Sequence, residues 1–334
     1  MPLKPLILLL FLCLFYSNAQ EITIIDYMSK NPIDNVLIFN KSGKYLGKTD
    51  LDGKFEKNQI ENLTDFVILH SAIKTDTITL SNIVNDEIAV KQIREQPVTK
   101  IYKNNSNKEF IIIKGFFTIY NTADGVLTNY TDGIVQYIID KKTNEYKNYV
   151  IQEYRNFSYK DRYLQENAPL ITFSGITQFP VLDNIEAIKK SKDFGKNLKT
   201  SQNQLVIRKS NDSIKNEYNS KFLGYLYSNI KFDLIYKFSG DNADFFELSN
   251  FYKSVKLDVK QKKQNNFTTF SSIANFYPLE IKYLDKNEIG KGVTLNDNKS
   301  KYTSNYWQDN YFSYLIDYLS QKSLYEIRFM KNQK

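Results

Sequence analysis

The chain has 334 residues, a net charge of +8 at pH 7, and a composition that is 42% hydrophobic and 15% aromatic. This length fits two or three domains and a hydrophobic core large enough to fold without disulfides. The sequence contains one histidine and one cysteine. That count excludes a zinc site held by several imidazoles or thiolates, and with it the chemistry of a zinc peptidase.

The first 20 residues have the pattern of a secretory signal peptide. Lys4 precedes an apolar stretch over residues 6–15, and the small residues Ser17 and Ala19 suit a signal peptidase. The stretch is shorter than the about 20 residues of a membrane-spanning helix. We therefore expect an exported protein with no transmembrane helix in the mature chain. It would lie in the periplasm, or at the outer membrane or cell surface.

Two other fates of this segment are a retained N-terminal anchor and a lipid attached to Cys13. Leu12 argues against the lipid, because a small residue is expected before a lipidated cysteine. Export also disfavours a nucleic acid as partner, and no recognition motif for one is present.

Residues 21–95 are predicted to form short strands separated by turns. Pro32 suits the entrance of a strand, where a missing N–H is tolerated, and Gly53 can adopt the positive φ of a tight turn. Short strands at regular spacing predict a β-sandwich. The predicted strands cover residues 22–25, 36–39, 45–48, 66–70 and 75–80.

This region resembles the carboxypeptidase regulatory-like domain, which is common at the N-termini of exported proteins of Bacteroidota-type bacteria. The residues that carry the resemblance are Pro32, Asn35, Val36, Thr49, Asp50, Gly53, Phe55 and His70. The resemblance implies a seven-stranded, transthyretin-like β-sandwich with no catalytic, metal or cofactor site of its own. The chain departs from the family pattern after His70, where a Gly-Tyr pair is absent, and in the first strand, which lacks the usual glycine.

Residues 96–108 are predicted to be a linker, and residues 109–334 a larger antiparallel β-rich domain with a few helices and no recognisable function. Asp124-Gly125 is a hairpin turn signal. Helices are expected over residues 183–194 and 309–320. The predicted strands cover residues 110–120, 126–130, 133–139, 146–159, 205–208, 231–238, 252–262, 267–276, 279–283 and 324–329.

Asp124, Asp132 and Glu153 form the best candidate cluster of carboxylates. A pair of carboxylates can hydrolyse a glycosidic bond, one as acid and the other as base or nucleophile. Asp124 and Asp132 each precede a glycine, however, which is typical of turns. His70 stands alone at the end of an apolar strand, and we expect a structural role for it. The sequence therefore predicts no catalytic residue.

Asp50 and Asp52 share a turn and could suggest a calcium loop. Lys54 stands where the fifth-position ligand of an EF-hand is required. A hairpin turn whose aspartates bind local amides is the better interpretation, so no metal is expected.

Two further patterns are candidates for binding. Tyr302, Tyr306 and Trp307 could stack on a sugar, or they could form an aromatic cluster that packs a terminal helix. The densest basic segment is 260–263, flanked by Lys253 and Lys256. It could be a solvated hairpin end, or it could contact anionic lipid headgroups or a polysaccharide.

The absence of a catalytic constellation leads us to expect a non-enzymatic, exported envelope protein that binds a protein or glycan partner through β-sandwich surfaces and uses no cofactor. The alternative is a periplasmic carrier of lipids or lipoproteins with an apolar half-barrel groove, suggested by the aromatic strands over residues 110–159. A carboxylate-dependent hydrolase is a weaker alternative.

Overall fold

A computed structural model shows that the prediction of a mainly β protein is correct. It describes residues 21–91, 100–102, 107–159, 179–184, 198–199, 205–210, 220–222, 224–309 and 327–329, except positions 42, 71–72, 264 and 297–298. Across these residues no helix reaches seven residues, and the sheets are mostly antiparallel. No helix within these ranges is long and apolar enough to cross a membrane.

The chain divides into two compact units. Unit 1 comprises Met1–Lys41 and Leu46–Ile93, and unit 2 comprises Ser42–Tyr45 and Arg94–Lys334. The seven strands in the first part of the chain are β1 (Glu21–Asp26), β2 (Leu37–Asn40), β3 (Tyr45–Lys48), β4 (Lys54–Glu56), β5 (Asp65–His70), β6 (Ile73–Thr79) and β7 (Glu87–Val90).

These seven strands form two sheets, in the orders β4-β1-β7 and β3-β2-β5-β6. Alternate residues of β1 and β5, such as Ile22, Ile24, Phe66 and Ile68, are at most 1% exposed and lie in one shared core cluster. Because successive side chains of a strand point to opposite faces, each sheet contributes one apolar face to this core.

Unit 2 is built on one sheet of eleven strands, in the order β12-β13-β15-β16-β17-β9-β10-β11-β18, with β14 beside β15 and β8 beside β17. Its strands are β8 (Lys100–Ile101), β9 (Phe110–Ala123), β10 (Val126–Asp140), β11 (Glu145–Tyr159), β12 (Leu198–Lys199), β13 (Leu205–Ser210), β14 (Ser220–Phe222), β15 (Tyr225–Phe238), β16 (Leu248–Gln261), β17 (Thr268–Leu284) and β18 (Ile327–Phe329). A single α-helical turn, α1 (Tyr306–Asp309), is described.

One face of this sheet, here the core face, carries a dense aromatic core. The Tyr137 ring meets the Phe276 ring edge-on, with 4.7 Å between centroids. Residues 179–184 cross this face, because the Tyr137 hydroxyl donates to the Pro180 carbonyl and the Tyr236 hydroxyl accepts the Asp183 N–H at 3.0 Å. The strands over residues 110–159 thus pack against their own chain.

The structure differs from the sequence prediction at several places. The short strands β4 and β7 lie outside the predicted strands. Asp132-Gly133 lies inside the continuous strand β10 and is not a turn. The two strands predicted over residues 267–283 are the single strand β17, with an irregularity after Pro278. β8 lies within the predicted linker and pairs with β17. The helices predicted over residues 183–194 and 309–320, and the signal segment 1–20, lie almost entirely outside the described residues.

Candidate functional site

A buried pair of opposite charges lies on the sheet face opposite the core face, here called the second face. Asp132 of β10 is the register partner of Arg155 of β11 on one side and of Thr118 of β9 on the other. Directly opposite residues of antiparallel strands project from the same face, so these three side chains form a row. Asp132 is 0% exposed and Arg155 is 7% exposed, so the charges are removed from water.

The Asp132–Arg155 contact is bidentate. Arg155 Nε donates to Asp132 Oδ1 at 3.0 Å, and Arg155 Nη2 donates to Oδ2 at 2.5 Å. Paired, charge-assisted bonds of this geometry are the strongest that a carboxylate makes with a side chain. They offset part of the desolvation cost of two buried charges, and neither charge can lose its partner without a large penalty.

Helix α1 closes this pair from above the second face. Tyr306 Oη lies 2.6 Å from Asp132 Oδ1 and 3.0 Å from the Asp132 backbone oxygen, so both acceptors of its hydroxyl belong to Asp132. The centroid of the Trp307 ring lies 4.3 Å from Arg155 Cζ, a cation–π contact. Tyr302 meets Trp307 edge-on at 5.0 Å. The three aromatic residues singled out from the sequence thus gather at this site.

Apolar side chains surround the pair and keep the local environment dry. Tyr306 packs with Phe116, Ile134 and Tyr277, all at most 7% exposed, and Tyr302 and Trp307 flank them. Within such surroundings an unpaired charge or hydroxyl is costly. The cluster therefore requires all of its polar partners at once.

Glu153 lies on the same face, two register positions from Arg155, and it binds the segment that leads into α1. Its carboxylate accepts the backbone N–H groups of Thr303 at 2.9 Å and Ser304 at 3.0 Å, and the Ser304 hydroxyl at 2.6 Å. Burial alone would raise the pKa of Glu153, but these hydrogen bonds outweigh it and lower the pKa.

Asp124 does not join this group. It lies in the turn between β9 and β10, with φ of 49°, and its Oδ1 accepts the Thr269 N–H at 2.8 Å. Its position agrees with the hairpin turn expected from Asp124-Gly125. The structure therefore brings Asp132 and Glu153 to one face and places Asp124 at the end of the sheet.

The electrostatics of the cluster favour fixed protonation states. Burial raises the pKa of Tyr306 well above its usual value, and the charge of Asp132 raises it further. Burial alone would lower the pKa of Arg155, but the hydrogen bond and charge of Asp132 outweigh it and raise the pKa. Tyr306 stays a neutral donor and Arg155 a cation, so neither is poised for proton transfer near neutral pH.

No group of three or more His, Cys, Asp or Glu side chains within the described ranges could hold a metal ion. Asp50 instead stabilises its own turn, since its Oδ1 accepts the N–H groups of Asp52 at 3.0 Å and Lys54 at 2.8 Å. His70 is the last residue of β5 and pairs with Ile73 across the hairpin.

The residues of unit 1 that carry the family resemblance have structural positions. The Thr49 hydroxyl is fully buried, accepts the Val36 N–H at 2.9 Å and donates to the Ile33 carbonyl at 2.9 Å. Gly53 has φ of +71°, and a Cβ there would lie 2.8 Å from the Ile24 carbonyl oxygen. Asn35 also has a positive φ, of 55°, and Phe55 is buried in the unit 1 core, while Pro32 bridges to Ile25 beside β1.

Arg155 is the member of the site that sequence reasoning missed. It alternates with Tyr154 in an amphipathic strand and looks like an ordinary solvent-facing charge. The available signal is its pairing with Asp132, which requires the register of β10 and β11. A bulge at Gln152 shifts that register between Ile134 and Val135, and bulges cannot be placed from alternation alone.

No protein-family model and no curated protein matches the chain. One solved structure found by the structural comparison is titled "Lipid-protein interactions in lipovitellin", at 6% sequence identity and a TM-score of 0.21. The match covers 55% of this chain and 26% of that one. A likeness at this level carries no argument about fold or function.

Proposed function

We propose that the protein is a non-enzymatic, exported component of the cell envelope that binds a protein or glycan partner. The observation that carries this proposal is the engagement of Asp132. Both of its carboxylate oxygens accept hydrogen bonds from Arg155, and Tyr306 adds a third donor. A general base or nucleophile must be within reach of its substrate, whereas Asp132 is 0% exposed and already binds three donors of its own chain.

Glu153 gives the same picture, since its hydrogen bonds go to Thr303 and Ser304 of its own chain. Glu153 thus binds the segment before α1, and Asp132 binds Tyr306 of α1, so both carboxylates hold this part of the chain against the sheet. The arrangement supports a structural role and disfavours the hydrolase alternative.

Unit 1 is proposed to be a carboxypeptidase regulatory-like, transthyretin-like β-sandwich. Its support is the presence of seven strands in two sheets that share one core. The hydroxyl of Thr49 and the positive φ of Gly53 give physical reasons for two of the residues that carry the resemblance.

The turn after β1 is the partner-binding surface that unit 1 offers best. Asp26 Oδ2 accepts the Ser29 N–H at 2.8 Å and the Ser29 hydroxyl at 2.7 Å, which fixes the turn. Tyr27 and Met28 project from it with 59% and 77% of their surface exposed. Tyrosine and methionine are enriched in protein interfaces, and a rigid turn loses little entropy on binding.

The carrier alternative receives less support from the packing. Tyr149 stacks on Phe179 at 4.5 Å, and Phe117 meets Phe179 edge-on at 4.9 Å. Two aromatic side chains that were candidates to line a groove therefore pack on Phe179 of the same chain.

The test is affinity capture from the native envelope after crosslinking in cells, with proteins, glycans and lipids quantified by mass spectrometry. The variant Tyr27→Ser/Met28→Ser should reduce recovery of the specific partner by at least about tenfold, as expected for interface hot spots. The matched control Ile101→Ser/Tyr102→Ser removes two exposed apolar side chains of unit 2 (55% and 51% exposed) and should recover the partner as wild type does.

Equal recovery by all three proteins would argue against the unit 1 surface. Recovery of a stoichiometric lipid without a protein or glycan would favour the carrier instead.

A further inference from the structure

The β16–β17 hairpin end concentrates positive charge at one corner of the large sheet. The tip between the two strands carries Lys262 and Lys263, both exposed. Lys260 precedes them, and the register pair Lys231–Lys256 lies further along β15 and β16. Within the described part of the chain none of these five ammonium groups forms an ion pair. This basic corner is therefore Lys231, Lys256, Lys260, Lys262 and Lys263.

Strand alternation places the side chains of Lys231, Lys256 and Lys260 on the second face. Lys256, Asp258 and Lys260 are spaced two residues apart along β16, so their side chains lie on the same face. Asp258 accepts the Thr269 hydroxyl of β17 at 2.7 Å on that face. Asp258 also accepts the Asn229 amide at 2.7 Å. Asp258 keeps its negative charge and, among the residues described, forms no ion pair with these lysines, so the five lysines of the corner retain an excess of positive charge.

Exposed apolar side chains accompany the lysines. Phe267 is 42% exposed, and Ile230 is 36% exposed. The Lys260 ammonium lies 4.6 Å from the centroid of the Phe267 ring. An exposed aromatic ring beside several cations is typical of surfaces that bind a lipid interface. The ring lies at the boundary between headgroups and acyl chains, and the ammonium groups contact the phosphates.

The hairpin tip is free of the neighbouring strand on one side. The turn after β9 reaches only to Thr269, whose N–H is bound by Asp124. Residues 265–267 lie beyond that point and are exposed. The hairpin tip therefore extends beyond the end of β9.

We propose that this basic corner docks the protein on the surface of an anionic phospholipid bilayer. The lysines contact the phosphates and Phe267 inserts at the headgroup boundary. The binding is peripheral and depends on ionic strength, since exposed charges are screened by salt. The membrane surface would be a second binding target, in addition to the protein or glycan partner proposed above. Binding to it does not depend on that partner.

The test is flotation of the purified protein, with its N-terminus determined, on phosphatidylcholine vesicles with and without phosphatidylglycerol. Wild type should bind the phosphatidylglycerol vesicles and be released by salt. The variant Lys260→Gln/Lys262→Gln/Lys263→Gln should lower the partition coefficient about a hundredfold, from about fivefold for each lysine. Phe267→Ser should lower it about tenfold.

The matched control is Lys142→Gln/Lys286→Gln/Lys291→Gln, which removes the same charge at exposed positions away from the corner and should bind as wild type. The inference is overturned if wild type binds neutral vesicles equally well, or if the control loses as much binding as the corner variant. It is also overturned if wild type binds an anionic polysaccharide but no vesicles. Melting curves of each variant show whether its fold is intact.

Discussion

The ring of Trp307 lies over the guanidinium of Arg155, with 4.3 Å between the ring centroid and Cζ. Beneath that contact Arg155 holds Asp132 in a bidentate pair. A residue that is distant in sequence, Trp307, thus covers an ion pair in the middle of the sheet. The relationship explains why α1 lies against β10 and β11, and why the aromatic cluster around Trp307 exists.

Tyr306→Phe should destabilise the protein by about 2 kcal/mol, because a hydrogen bond to a charged, buried acceptor contributes about 1.5–3 kcal/mol. Urea unfolding measures this change. Tyr149→Phe is the matched control, since its hydroxyl has no hydrogen bond among the residues described and its ring contacts remain. Equal effects of the two substitutions would show that the Tyr306 hydroxyl contributes nothing specific.

Three glycine substitutions separate backbone strain from steric conflict. Gly53→Ala combines φ of +71° with a close approach to Ile24 and should cost the most, about 2 kcal/mol or more. Gly224→Ala has φ of +82°, and its Cβ would meet none of the described atoms within 4 Å, so it should cost about 1 kcal/mol. Gly290→Ala has neither feature and should be neutral. Any other order of the three midpoints in urea unfolding would contradict this account.

Thr49→Val should destabilise the protein by about 2 kcal/mol or more. The substitution keeps the shape but leaves the buried Val36 N–H and Ile33 carbonyl without partners, and each such group costs about 1–3 kcal/mol. Thr49→Ser keeps the hydroxyl and should recover most of the loss in thermal unfolding. If serine and valine behaved alike, the hydroxyl would not be the reason for threonine at this position.

The pH dependence of stability should carry a contribution from Glu153. Its pKa lies below the usual 4.5, because hydrogen bonds from Ser304 and Thr303 outweigh the opposing effect of burial. A carboxyl with a depressed folded-state pKa stabilises the fold above its unfolded pKa, and that stabilisation is lost as the pH falls through the folded pKa. Glu153→Gln should therefore flatten the loss of stability below about pH 4.5 in urea titrations.

The control for this pH profile is Glu61→Gln. Glu61 is exposed and has no hydrogen bond within the described ranges, and its removal should leave the acid limb as in wild type. An unchanged acid limb in Glu153→Gln would show that the Thr303–Ser304 contacts are not maintained in solution.

Local patterns were enough to predict most of the longer strands and the true hairpin turn, but not the short strands β4 and β7. Alternation over residues 110–159 indicated three long strands, and Asp124-Gly125 adopts the positive φ values of 49° and 80° that a hairpin requires. Asp132-Gly133 has the same two residue types but lies inside β10. There a Cβ on Gly133 would lie 2.6 Å from the Phe117 ring and 2.4 Å from a backbone oxygen of β11. The glycine permits close approach within the sheet, which no local pattern distinguishes from a turn.

The site could be predicted only in parts. Tyr302, Tyr306 and Trp307 were recognisable as an aromatic cluster, and Asp132 and Glu153 as carboxylates on neighbouring strands. Their association with Arg155 depends on the register of β10 and β11 and on contacts with a segment near the end of the chain. Such long-range pairings follow from packing of the complete sheet and are absent from any local window of sequence.

The most direct test of the central claim is the unfolding free energy of Asp132→Leu, Arg155→Leu and the double variant. If the Asp132–Arg155 pair has a structural role, each single substitution should lower the free energy of unfolding by about 3–5 kcal/mol, because it leaves one buried charge without its partner. The double variant should recover most of that loss, since no unpaired charge remains. If either single substitution left stability unchanged or raised it, as is common where charges are kept for a substrate, the cluster would be a functional centre and the proposed non-enzymatic role would be contradicted.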